Sequence, residues 1–154
     1  MGLTNPTNLT ISTDADEVTR QQLRERLKAF NRATVPHLYA GEHTDPEFRR
    51  NIDVIYQNED GEMVAGAFAE VYWQSMHIAV LWVDESLRGA GIGTELMHRI
   101  EAQAREWQCR FAWTTTFSWQ AREFYERLGY RVAGQLDDHP PGHTFYTMRK
   151  DFED

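Results

Sequence analysis

The chain has one cysteine, Cys109, among 154 residues, so no disulfide can form within it. It needs none, because a domain of this length buries roughly 68–70% of the surface its unfolded chain exposes. Long apolar runs are also missing, and none approaches the ~20 residues of a membrane-crossing helix. Met1 to Thr13 has neither a basic n-region nor an apolar h-region, so no signal peptide is expected. The Met1-Gly2 start opens a myristoylation pattern that Pro6 breaks, since Ser or Thr belongs there. The Asn8-Leu9-Thr10 sequon has meaning only in a secreted protein. These absences point to a cytoplasmic protein. Basic residues are scarce too: 16 Lys and Arg stand against 24 Asp and Glu, a net charge of −8. Such a surface repels nucleic acid and anionic membranes, and it is compatible with a cationic substrate. No repeat or low-complexity linker divides the chain, so one domain over residues 1–154 is expected.

Hydrophobic residues make up 41% and aromatics 12%, enough for a packed core. Leu9 to Ser12 is a short strand candidate. Thr13 and Asp14 then offer N-caps, with Asp16 and Glu17 three positions on, for a helix striped by Leu23, Leu27 and Phe30. Val35 to Arg50 is irregular. Ile52–Tyr56 and Met63–Trp73 read as a hairpin about the Asn58-Glu59-Asp60-Gly61 turn. Met76–Val83 is almost continuously apolar, as in a strand buried on both faces. A helix follows with Ile92, Leu96, Ile100, Ala104 and Trp107 on one face, and with Glu95–Arg99 and Glu101–Arg105 pairs on its exposed side. Then come a strand at Phe111–Thr116, a helix capped by Ser118 and stopped by Gly129, and strands at Tyr130–Leu136 and Thr144–Met148. This order predicts one α/β domain with a mixed sheet.

The chemically informative stretch runs from Val80 to Thr94. There a buried strand enters a glycine-rich turn that opens an amphipathic helix. The first amides of a helix lack intrahelical partners and the helix dipole favours negative charge, so this is an anion site. Glycines let the backbone approach a pyrophosphate closely, and Arg88 adds a charged donor. The P-loop pattern fails, because Gly93 is followed by Thr94-Glu95. The Rossmann fingerprint fails as well: after Gly89-Ala90-Gly91 its third glycine belongs at position 94 and stands at Gly93. A glycine-rich turn with no ligand is the competing reading.

Arg88-Gly89-Ala90-Gly91-Ile92-Gly93 resembles the R/Q-x-x-G-x-G/A signature of the GNAT acetyltransferases. The run from Ser118 to Tyr130 resembles the family's second signature, N-x-x-A-x-x-F/L-Y-x-x-x-G-F/Y, with Ser118 in place of Asn. The resemblance covers roughly Ile52 to Met148. It implies a mostly antiparallel mixed sheet splayed at its centre, between Met76–Val83 and Phe111–Thr116, with acetyl-CoA in the gap. By the same resemblance Leu81, Trp82 and Val83 pair with the pantetheine arm, and Gly89, Ala90, Gly91, Ile92, Gly93 and Thr94 cradle the pyrophosphate with Arg88. Ser118 takes the place of the family's pantetheine-contacting Asn. Tyr125 matches the tyrosine that protonates the leaving thiolate, although it also suits a core position beside Phe124 and Leu128. No metal is implied. A small-molecule or peptide amine acceptor attacks the thioester directly in a ternary complex. A binding module that holds CoA without turnover is the alternative, and a homodimer is compatible with either.

The general base stays open between Glu70, His77, His143 and water. A primary amine with a pKa near ~10 is mostly ammonium at neutral pH and must first lose a proton. Cys109 has no evident partner and reads as an inert thiol. Trp73 and Trp119 sit near the expected cleft. Acids at Asp45–Glu47 and Asp137–Asp138 flank the expected acceptor entrance, which favours a positively charged acceptor.

Overall fold

The computed structural model describes residues 12–40 and 49–152. Its elements are α1 (Glu17–Thr34), a 3-10 turn (Pro36–Tyr39), β1 (Arg50–Gln57), β2 (Met63–Tyr72), β3 (Ser75–Val83), α2 (Ile92–Glu106), β4 (Phe111–Phe117), α3 (Arg122–Arg127), β5 (Arg131–Asp137) and β6 (Thr144–Asp151). Six strands form one sheet in the order β1-β2-β3-β4-β6-β5. All neighbours are antiparallel except β3 and β4. Those two run parallel because α2 carries the chain across the sheet between them, as a parallel pair requires.

Alternation along the strands decides where the core lies. Ala65, Ala67, Ala69 and Val71 of β2, with Met76 and Ile78 of β3, face α2 and are buried against Leu96, Met97, Ile100 and Ala104. The small alanines let the helix approach the sheet closely. Ile92 and Trp107, at the two ends of the α2 stripe, are only half-buried and pack at the edge of this core.

The expected splay is present and sharp. Strands β3 and β4 pair only at Ser75–Phe111, Met76–Ala112 and His77–Trp113. Just beyond, the β2–β3 register slips: Phe68 faces Val80 and Ala69 faces Ile78, so Ala79 is an extra residue with no partner. Such a bulge bends its strand, and β3 leaves β4 from this point.

Several sequence expectations change. The N-cap of α1 is Asp16, not Thr13 or Asp14: its carboxylate accepts the Thr19 amide at 2.8 Å. Leu23, Leu27 and Phe30 are 59–70% exposed, because periodicity defines a stripe without supplying anything to cover it. Strand β3 is not buried on both faces; Val80 and Trp82 are exposed where the sheet opens. Glu101 is buried rather than on the outer face of α2. Helix α3 starts at Arg122 with Ala121 as its cap, since Gln120 folds back to accept the Phe117 amide and holds residues 118–120 in a turn. The Leu9–Ser12 strand, apart from Ser12, and the Asp45–Glu47 acids lie outside the described residues.

Candidate active site

The turn between β3 and α2 is built by its own side chains. Asp84 accepts the Ser86 amide at 2.9 Å, and Arg88 donates from Nε to the Val83 carbonyl at 3.2 Å. Gly89 and Gly91 have φ of +79° and +85°, and an added Cβ at either would meet nothing within 4 Å. Glycine is used there for backbone conformation and to leave the space in front open. Gly91 is the N-cap of α2 and supplies no side-chain cap, so no side chain covers the first amides of that helix. Gly93 serves packing: a Cβ there would stand 3.4 Å from the Phe124 ring and 3.7 Å from Val83. Its absence lets α3 close on α2.

These elements bound one groove. Ala79 to Val83 form one wall. Thr114 to Thr116, Trp119, Gln120, Ala121, Phe124 and Tyr125 form the other, and Arg88, Gly89, Gly91, Ile92, Gly93 and Thr94 form the outer end. An uncapped helix N-terminus, two open glycines and an arginine fit a pyrophosphate, and the long gap between diverging strands fits an extended arm. The groove thus brings together Leu81, Trp82, Val83, Arg88, Gly89, Gly91, Ile92, Gly93, Thr94 and Tyr125. Ala90 and Ser118 stand outside its lining. Ser118 instead ties the end of β4 to the β5–β6 hairpin, its hydroxyl 3.2 Å from His143 Nδ1 and accepting the Thr144 amide at 3.3 Å.

Tyr125 is buried, with its ring edge-on to Phe124 and Tyr130. Burial pushes its phenol above the usual tyrosine range, while hydrogen bonding with the Thr114 hydroxyl acts the other way. The phenol therefore stays protonated at neutral pH and can donate.

The three base candidates are apart from the groove lining. Glu70 is ion-paired with Arg49. His77 stacks on Trp113 with centroids 4.0 Å apart. Burial lowers its pKa, with the Glu70 charge opposing and the Arg49 charge assisting, so the ring is neutral at pH 7. His143 holds Ser118 and lies edge-on to Trp119. A shallow depression on the sheet face turned away from α2 is lined by Asn51, Asp53, Phe68, Ala69, Glu70 and Ala79. Ala79 lines both this depression and the groove, so the bulge joins the two sides of the sheet.

Trp73 is at the β2–β3 turn with φ of +50°, at the closed end of the splay and away from the groove. Trp119 does line the groove. Cys109 is buried and its thiol is pushed up to about 11, consistent with an inert residue. Asp138 is occupied in the hairpin loop, accepting the Gly142 amide at 2.7 Å. Sequence reading missed Ala79 and the three threonines of β4. A bulge leaves no local signature in an apolar strand, whereas three consecutive hydroxyls in a core strand are a usable signal.

The model of the acetyltransferase (GNAT) family matches residues 16–130. A blasticidin-S acetyltransferase of Streptomyces morookaense is 38% identical over 130 residues, covering 82% of this chain and 96% of that protein. The crystal structure of an acetyltransferase from Bacillus cereus superposes with a TM-score of 0.81 at 30% identity, covering 93% and 98% of the two chains. An aminoglycoside 6'-N-acetyltransferase complexed with coenzyme A shares the fold at 21% identity, with a TM-score of 0.58 over 92% and 95% of the chains.

Proposed function

The chain belongs to the GNAT family of acetyltransferases, and we propose that it moves an acetyl group from acetyl-CoA to the amine of a cationic small molecule, with blasticidin S the first acceptor to test. The observation that carries this reading is the buried Tyr125 phenol in a groove whose other end is an uncapped helix N-terminus. The amides of Ile92, Gly93 and Thr94, with Arg88, hold the pyrophosphate. The edge of β3 from Ala79 to Val83 holds the pantetheine arm. When bound, acetyl-CoA supplies an acetyl group activated as a thioester. Tyr125 keeps a proton at its phenol oxygen, ready for the departing sulfur, and the bulge at Ala79 turns β3 backbone toward the developing oxyanion.

Transfer is direct, in a ternary complex. No histidine or carboxylate lines the groove among the described residues, so its threonine hydroxyls have no base to make them nucleophiles. The acceptor approaches from the opposite depression, where Asp53 favours a cation and where water, or Glu70 once released from Arg49, takes the amine proton. The 38% identity to a blasticidin-S acetyltransferase supports this acceptor class. We place the reaction in the cytoplasm, in one domain over 1–154, without metal, membrane or nucleic acid.

Calorimetry with acetyl-CoA tests the donor site. Gly91→Asn tolerates the left-handed backbone and adds no charge, but it sets a side chain in the open space before the first amides, so it should weaken binding about tenfold. Gly91→Asp should weaken binding by about 10³-fold, taking about 4 kcal/mol for two unit charges ~4 Å apart near a protein surface. Equal affinities in the two variants would reject the site. On the acceptor side, Asp53→Asn should raise the acceptor KM about fivefold, the equivalent of about 1 kcal/mol for an exposed ion pair. The wild-type KM should also rise with ionic strength. A salt-insensitive KM or a preferred anionic acceptor would count against a cation.

A further inference from the structure

The parallel ladder between β3 and β4 stops at His77–Trp113. One step further the register would set Ile78 opposite Thr114, and there a side chain replaces the backbone pairing. The Thr114 hydroxyl donates to the Ile78 carbonyl at 2.9 Å, and Thr114 is only 3% exposed. The next residue of β3 is the bulged Ala79. Thr114 is held from its other side by β6, where it lies opposite Met148 in the antiparallel register. The apex of the splay is therefore closed by one hydroxyl rather than by a ladder bond.

The same residue lines the groove beside Tyr125. A threonine hydroxyl has one proton and two lone pairs. With its proton on Ile78, its oxygen keeps lone pairs beside the Tyr125 phenol in the lining of the groove. We propose that Thr114 is a positioning residue, which pins the apex of the splay through Ile78 and fixes the Tyr125 hydroxyl at the inner end of the groove. This rests on Tyr125 being the acid. In the step itself the thioester C–S bond breaks with its electron pair going to sulfur, the Tyr125 O–H bond breaks, and an S–H bond forms, leaving a phenolate. Thr114 then turns its proton from Ile78 to that phenolate, and solvent later restores the Tyr125 proton. Burial opposes a phenolate and Thr114 relieves part of that opposition, which fits the opposed effects of the two on Tyr125.

The test is a double-mutant cycle on folded protein. Thr114→Val keeps the branched shape and removes the hydroxyl, and Thr114→Ser keeps the hydroxyl. Thiol release from acetyl-CoA is followed with blasticidin S as acceptor and with water alone. Thr114→Val should lower kcat about tenfold with the KM for acetyl-CoA within twofold, and Thr114→Ser should recover most of the loss. Added to Tyr125→Phe, Thr114→Val should cost nothing further, since residues that act through one another are not additive. Crystal structures of wild type and Thr114→Val should show the β3–β4 gap widened at Ile78 and the Tyr125 phenol displaced. An unmoved phenol, or losses that add fully, would overturn the proposal. Tyr125→Phe with wild-type kcat would instead overturn the acid reading, which separates the two failures.

Discussion

Two tyrosines five residues apart divide the molecule into a closed region and an open one. Tyr125 and Tyr130 are both buried, their ring centroids are 5.6 Å apart, and burial raises both phenols. Tyr130 donates to Glu101 at 2.9 Å, and Glu101 in turn holds Lys150 at 2.6 Å. That set joins α2, β6 and the segment after α3. Tyr125 faces threonines along a groove. Equal burial therefore does not mean an equal role. A buried hydroxyl saturated by a carboxylate holds elements together, and one that faces a groove has a proton available for chemistry.

The largest expected effect falls on the open side. Tyr125→Phe should lower kcat about 10²-fold or more, the lower end for a general acid, with the KM for acetyl-CoA and the melting temperature nearly unchanged. On the closed side the signature reverses. Glu101→Ala strands a half-buried Lys150 and the buried Tyr130 hydroxyl, so the melting temperature should fall by about 10 °C or more, while kcat of the folded fraction holds. A large loss of kcat in Glu101→Ala at full folding would erase the distinction.

Alkaline pH sharpens the contrast with a smaller effect. A phenol whose folded pKa is raised favours the folded state while protonated. That stability is complete below the unfolded value near ~10 and is lost as pH rises through the folded pKa. Melting temperatures should therefore decline above roughly pH 10. Tyr130→Phe should flatten the decline, because Tyr130 is pushed furthest by burial and by the Glu101 charge. Because Tyr125 is also raised, the kcat profile of wild type should show no tyrosine limb at or below pH ~10. A decline of equal slope in both proteins would reject the assignment to Tyr130.

Much of the groove was legible in advance, for a local reason. The Arg88–Gly93 loop and the 118–130 run carry spacing set by backbone conformation, and left-handed glycines and a helix stripe are written in consecutive residues. The order of strands followed from the same periodicities. Other features depended on distant residues. Glu101 looked like half of a surface pair until Tyr130 and Lys150 met it across the sheet. Val80 and Trp82 looked buried until β4 diverged from β3. Ser118 looked like a helix cap until His143 and Thr144 arrived from another hairpin.

By itself the sequence determined the α/β class, the glycine-rich turn that opens α2, and the alignment of Tyr125 with the helix face that looks onto the sheet. These rest on φ preferences, on periods of 2 and 3.6, and on orphan amides at a helix start, all of them local physics. Only the tertiary structure decided where the sheet opens. The opening depends on the Ala79 bulge and on Thr114 reaching Ile78, and both are relations between strands that no single strand encodes. It also decided which of two buried tyrosines faces a groove, because burial follows from composition while access depends on what the neighbouring strand leaves uncovered.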